Sequence, residues 1–158
     1  MTPQRRRAST GNLPKIVLPT LEDVEADDLG YLTAPVERRC ILEKKEGLHI
    51  RPASTVQILS NRLREDYSII GWFSRDDGRK ASTVSVQDME ALGVQDGEEV
   101  TVDLRCPKVF GSDKMARLLD VYERLLKDSD SLEGIEAMPY VKEAYRVLGL
   151  PGDYVKRD

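Results

Sequence analysis

An α+β domain, with an antiparallel sheet covered on one face by helices, is the architecture this sequence predicts, and three observations carry it. Val100, Val102, Leu104 and Cys106 alternate strictly with polar residues, the period of a strand with one buried face. Asp77-Gly78 is a tight-turn signal between Tyr67–Ser74 and Lys80–Val84, which makes those two runs a hairpin and hence antiparallel neighbours. Met115, Leu118, Leu119, Tyr122, Leu125 and Leu126 recur at steps of three and four, the stripe of a helix lying on a core.

The elements follow in order. Residues 1–36 hold four of the eight prolines, the basic run Arg5-Arg6-Arg7 and an acidic stretch from Glu22 to Asp28, and are expected to form a flexible or loosely docked N-terminal extension. From Glu37, Cys40 and Leu42 alternate with Arg39, Ile41 and Glu43 as a half-buried strand that Gly47 ends. Ala53, Val56, Leu59 and Leu63 then fall at helical spacing, Pro52 suits a first turn because no intrahelical bond is lost there, and His49 is the expected N-cap. After the hairpin, Ser85 followed by Asp88 reads as the cap of a short helix stopped by Gly93. The alternating strand 100–106 follows, and Ser112 is the expected cap of the long helix after it. Residues 129–158 form a C-terminal extension whose Met138, Val141, Tyr145 and Leu148 predict one more helix, closed by Gly149 and Pro151.

Composition narrows the function classes. The chain has 158 residues, enough for one domain, with 40% hydrophobic and 33% charged residues. Its formal charge of -4 and isoelectric point near 5.2 argue against nucleic acid as the main ligand. No apolar run approaches the roughly 20 residues of a spanning helix, and the N-terminus has no secretory core, so no membrane insertion and a cytoplasmic location are expected. Cys40 and Cys106 form no paired motif and read as reduced, buried thiols. One histidine cannot build a two-histidine zinc site, and no metal or other cofactor is expected.

That histidine carries the chemistry. Amides at the start of a helix attract anions, and Arg51, two residues on, adds a planar donor fork matched to phosphate oxygens. A neutral imidazole in that setting is a nucleophile placed to take a phosphoryl group without a metal. The expected phosphate contacts are Ile50, Arg51, Pro52, Ala53 and Ser54 at the helix start.

Gly47-Leu48-His49-Ile50-Arg51-Pro52-Ala53-Ser54 resembles the active-site segment of the HPr family, the histidine phosphocarriers of the bacterial phosphoenolpyruvate-dependent sugar phosphotransferase system. Fixing Gly, Leu, His, Arg and Pro there is expected by chance in about one chain in 20,000 of this length, so the segment is a specific signal. A second segment, Ala91-Leu92-Gly93-Val94 followed by Asp96-Gly97-Glu98-Glu99-Val100, is similar to the family's Leu-Gly turn and following strand. The resemblance spans residues 37–128. It implies an open-faced sandwich, a four-stranded antiparallel sheet of order 1-4-2-3 under three helices, to which the C-terminal helix is added. It also implies a stoichiometric carrier rather than an enzyme, in which His49 accepts phosphate on Nδ1 from phosphorylated enzyme I and passes it to a IIA-type protein. Arg51 is then the phosphate partner, and a monomer is expected. Ser85 falls where many family members carry a regulatory phosphoserine, beside its plain reading as an N-cap. The short helix after it, Val86-Gln87-Asp88-Met89-Glu90, is more polar and acidic than the family's docking helix. The alternative function is therefore an HPr-like regulatory or interaction module controlling a transcription or metabolic partner, with His49 as a switch or unused.

Overall fold

The structure, a computed structural model, describes residues 15–26, 33–128 and 137–156. In chain order the elements are β1 (Ile16–Leu18), α1 (Leu21–Glu25), β2 (Thr33–Ile41), α2 (Ile50–Tyr67), β3 (Ile70–Ser74), β4 (Lys80–Ser82), α3 (Val86–Ala91), β5 (Glu99–Pro107), α4 (Gly111–Lys127), α5 (Met138–Leu148) and β6 (Tyr154–Lys156). Strands β2, β5, β3 and β4 lie side by side in that order as a four-stranded antiparallel sheet. Alternation along β5 sorts its side chains: Val100, Val102, Leu104 and Cys106 are buried, whereas Thr101, Asp103 and Arg105 are half-buried on the other side. Helix α4 packs on β2 and β5, α2 packs on β3, and their apolar faces share one core with the sheet.

Helix α2 forms where the apolar spacing and Pro52 place it, with Ala53, Val56, Leu59 and Leu63 all buried. It continues through Tyr67, which corrects the expectation that Tyr67 opens the next strand. Ser68 adopts a left-handed conformation, its N–H donates to the Leu63 carbonyl as a C-cap, and β3 begins only at Ile70. Ser112 does not cap α4. A 3-10 turn over Lys108–Phe110 feeds the helix, and the N-cap is Phe110, without a side-chain bond.

The boundary expected at residue 37 falls inside a strand. β2 starts at Thr33 and pairs with β5 along its whole length, Thr33 against Pro107 and Ile41 against Glu99. Pro35 is tolerated because β2 is an edge strand, paired on one side only. Farther upstream, Leu18 and Val24 are fully buried, and Arg105 donates to the carbonyls of Val24 and Glu25 at 3.1 and 3.3 Å. Residues 15–26 are therefore docked on the domain, while 1–14, with the Arg5–Arg7 run, and 27–32 lie outside the described residues. So do 129–136.

The first and last described segments meet. β1 and β6 pair in parallel, Ile16 against Tyr154 and Leu18 against Lys156, as a second, two-stranded sheet. Helix α5 packs on α4 and α2, burying Val141, Ala144, Val147 and Leu148. Tyr67 joins these parts: its ring meets Phe110, Tyr145 and Tyr154 edge-on at centroid distances of 5.9, 5.6 and 5.5 Å. Its hydroxyl donates to the Gly149 carbonyl at 2.5 Å.

Both cysteines are free and buried. The register sets Cys40 against Val100 and Cys106 against Ala34, so six residues of β5, about 20 Å, separate them and no disulfide can span the gap. Burial raises both thiols, Cys40 to about 11. No helix among the described residues is long and apolar enough to cross a membrane.

Candidate functional site

His49 stands at the junction of α2 with a loop that is stitched to its neighbour. The Leu42 N–H donates to the Glu98 carbonyl at 3.0 Å, the Gly97 N–H to the Leu42 carbonyl at 2.8 Å, and the Leu48 N–H to the Val94 carbonyl at 2.9 Å. The two sequence segments that carry the family resemblance are thus in direct contact. Gly47 is required there on two counts. Its φ is +77°, and a Cβ at this position would lie 2.7 Å from the Val94 carbonyl oxygen. Leu48 is buried and fixes the loop to the core.

The second loop is braced in turn. Arg75, from the hairpin after β3, donates to the Leu92 carbonyl and to the Glu98 carboxylate, each at 3.2 Å. The Gln95 N–H donates to the same carboxylate at 2.7 Å, and with Arg75 it holds the Glu98 carboxyl below its ordinary value.

At the site itself, His49 has extended backbone geometry and its Nδ1 accepts the Arg51 N–H at 3.4 Å. Nδ1 therefore presents a lone pair toward the helix start, and in the neutral ring the proton is on Nε2. Of the first turn, Pro52 has no N–H and the Ala53 N–H donates to the His49 carbonyl at 3.0 Å. The amides of Ile50 and Arg51 are left outside the helical ladder and can meet an anion. Pro52 and Ala53 are buried and shape the turn, and the Ser54 hydroxyl donates to the Ile50 carbonyl at 2.6 Å. His49 is half-exposed, while Ile50 and Arg51 are exposed, so a partner protein can reach the imidazole.

Ser85 caps α3, its hydroxyl oxygen accepting the Asp88 N–H at 3.2 Å. It is tied to α2 two turns beyond His49, where Gln57 donates to the Val84 carbonyl at 3.1 Å. Sequence reasoning missed Arg75, which braces the second loop, and the burial of Lys44. Lys44 is fully buried, and the signal for it was present: it continues the inward parity of Cys40 and Leu42.

No protein-family model matches the chain, and no curated protein gives a significant match. Among solved structures, the chain is similar to the phosphocarrier protein HPr of Bacillus anthracis str. Ames, with 23% identity and a TM-score of 0.46 over 59% of this chain and 98% of that one. It is also similar to HPr-C-His of Thermoanaerobacter tengcongensis, with 25% identity and a TM-score of 0.41 over 59% and 97%.

Proposed function

We propose that this chain is a phosphocarrier in which His49 Nδ1 takes a phosphoryl group from a phosphorylated enzyme I-type donor and hands it to a IIA-type acceptor. The observation that carries the reading is Nδ1 placed at the N-cap of an 18-residue helix, facing the amide of Arg51, within the Gly-Leu-His-x-Arg-Pro segment. In the transfer the bond from phosphorus to the donor breaks and the Nδ1–phosphorus bond forms, while Nε2 keeps its proton. The lone pair that accepted the Arg51 N–H is consumed, so this N–H passes to a phosphate oxygen, joined by the Ile50 N–H and the exposed Arg51 guanidinium. Each charge-assisted bond favours the phosphorylated form, but the half-exposed His49 and the exposed Ile50 and Arg51 leave the group open to an acceptor, which keeps it transferable. The chain is a carrier in this account: each molecule is phosphorylated and must be discharged before it can accept again.

Incubation with phosphoenolpyruvate and enzyme I should place acid-labile phosphate on His49, and Arg51→Ala should slow uptake by about tenfold, the equivalent of one weakened charge-assisted bond. Absence of label with a donor that charges another carrier overturns the proposal.

A second reading rests on α3, whose outward residues Gln87, Asp88, Glu90 and Ala91 are exposed and give a polar, acidic surface beside α2. Such a surface offers charge complementarity to a basic partner in place of apolar anchors, which favours a regulatory or interaction module over docking of the usual carrier partners. Recovery of regulators without enzyme I or IIA proteins in a pull-down supports it.

A further inference from the structure

Among the described residues Lys44 is the one charged side chain that is fully buried, and it lies five residues before His49. Burying an ammonium is costly unless it is paired, so its partners identify what the burial secures. Its Nζ donates to the carbonyl of Asp128, the C-cap residue of α4, where the helix dipole is negative. The Asp128 carboxylate in turn accepts the hydroxyl of Tyr140 on α5. Next to Lys44, the Glu43 N–H donates to the Leu126 carbonyl at 2.9 Å. At its other end, the Lys44 carbonyl accepts the Gly47 N–H at 2.8 Å and closes the turn that presents Leu48 to Val94 and His49 to the helix start. A continuous set of bonds therefore runs from α5 through Asp128 and Lys44 to the loop that carries His49.

We propose that Lys44 is a positioning residue for His49, and that the C-terminal helix acts on the site through Tyr140, Asp128 and Lys44. The inference rests on the phosphocarrier reading, but one of its two readouts, the His49 resonances, does not. With α5 docked, the Asp128 carbonyl holds the ammonium, the 44–47 turn stays closed, and Nδ1 keeps its alignment on the Arg51 amide. With the Tyr140 bond removed, Asp128 loses one of its restraints and the turn loosens from a distance.

The test uses the full chain and two readouts: the imidazole nitrogen resonances of His49, and the initial rate of phosphoryl uptake from phosphorylated enzyme I. Lys44→Met should shift both His49 resonances and slow uptake by about tenfold, a misplacement effect. Tyr140→Phe, which removes one hydroxyl and leaves the packing, should change both in the same direction and to a smaller extent. Lys44→Arg, which keeps a cation able to reach a carbonyl, should restore the parent resonances in large part. The proposal is overturned if His49 resonances in folded Lys44→Met coincide with the parent, or, where that variant does not fold, if those of Tyr140→Phe do. Resonances that shift in a chain that never accepts phosphate uphold the positioning role and sink the phosphocarrier reading, so the two failures are distinct.

Discussion

Replacing Gly47 by alanine tests how the loop before His49 is held. The left-handed conformation at φ +77° costs an alanine about 1–2 kcal/mol. The new Cβ would also lie 2.7 Å from the Val94 carbonyl oxygen, a separation that real Cβ atoms do not show. That oxygen accepts the Leu48 N–H at 2.9 Å, so relief of the clash stretches or breaks this bond, at about 1 kcal/mol. The expected loss is about 2–3 kcal/mol, or roughly 5–10 °C in midpoint for a chain of this size. Gly78 provides the control: its φ is +89° and a Cβ there meets nothing within 4 Å, so Gly78→Ala should lose only the conformational part. Urea unfolding followed by circular dichroism measures both. If Gly47→Ala is no more destabilising than Gly78→Ala, the close approach of the two loops is wrong.

Other outcomes follow from the same geometry. His49→Asn should keep the helix cap and the parent stability while accepting no phosphate, whereas His49→Ala should lose about 0.5–1 kcal/mol as well; thermal melts and phosphate labelling separate the two. Neither Cys40 nor Cys106 should react with a thiol reagent at pH 8 until the chain is unfolded, since burial holds both thiols above that pH; a fast native reaction would contradict their placement. Glu98 has a folded value below its ordinary 4.5, so it binds protons less readily in the folded chain. Its contribution is complete above pH 4.5 and is lost as pH falls through the lower folded value, and Glu98→Gln should flatten that part of the acid unfolding curve.

The legible parts of the fold are those governed by local periodicity. The stripe Ala53, Val56, Leu59, Leu63 and the alternation of β5 needed only burial on one side, and the structure supplies it. Tyr67 was misplaced because its helix ends on Ser68, a non-glycine residue in a left-handed conformation, which gives no stop signal. Pro35 hid the start of β2, since proline argues against a strand unless the strand is at an edge, a property of the assembled sheet. The β1–β6 pairing joins two three-residue runs 138 positions apart (154 - 16), and such short runs have no periodicity to read. At the site, His49 as a cap and Arg51 beside it were readable because capping is local. The contacts through Val94, Arg75 and Lys44 were not, because each depends on a partner distant in sequence.

Phosphoryl acceptance at His49 is the central claim, and one measurement addresses it directly. The full chain is incubated with phosphoenolpyruvate and a competent enzyme I, and the phosphorus-bearing atom is assigned by nitrogen and phosphorus resonance. Acid-labile phosphate on Nδ1 of His49, transferable onward to a IIA-type protein and absent from His49→Asn, is the predicted result. A chain that stays unlabelled while the same donor charges another carrier, or phosphate bound at Nε2, contradicts it.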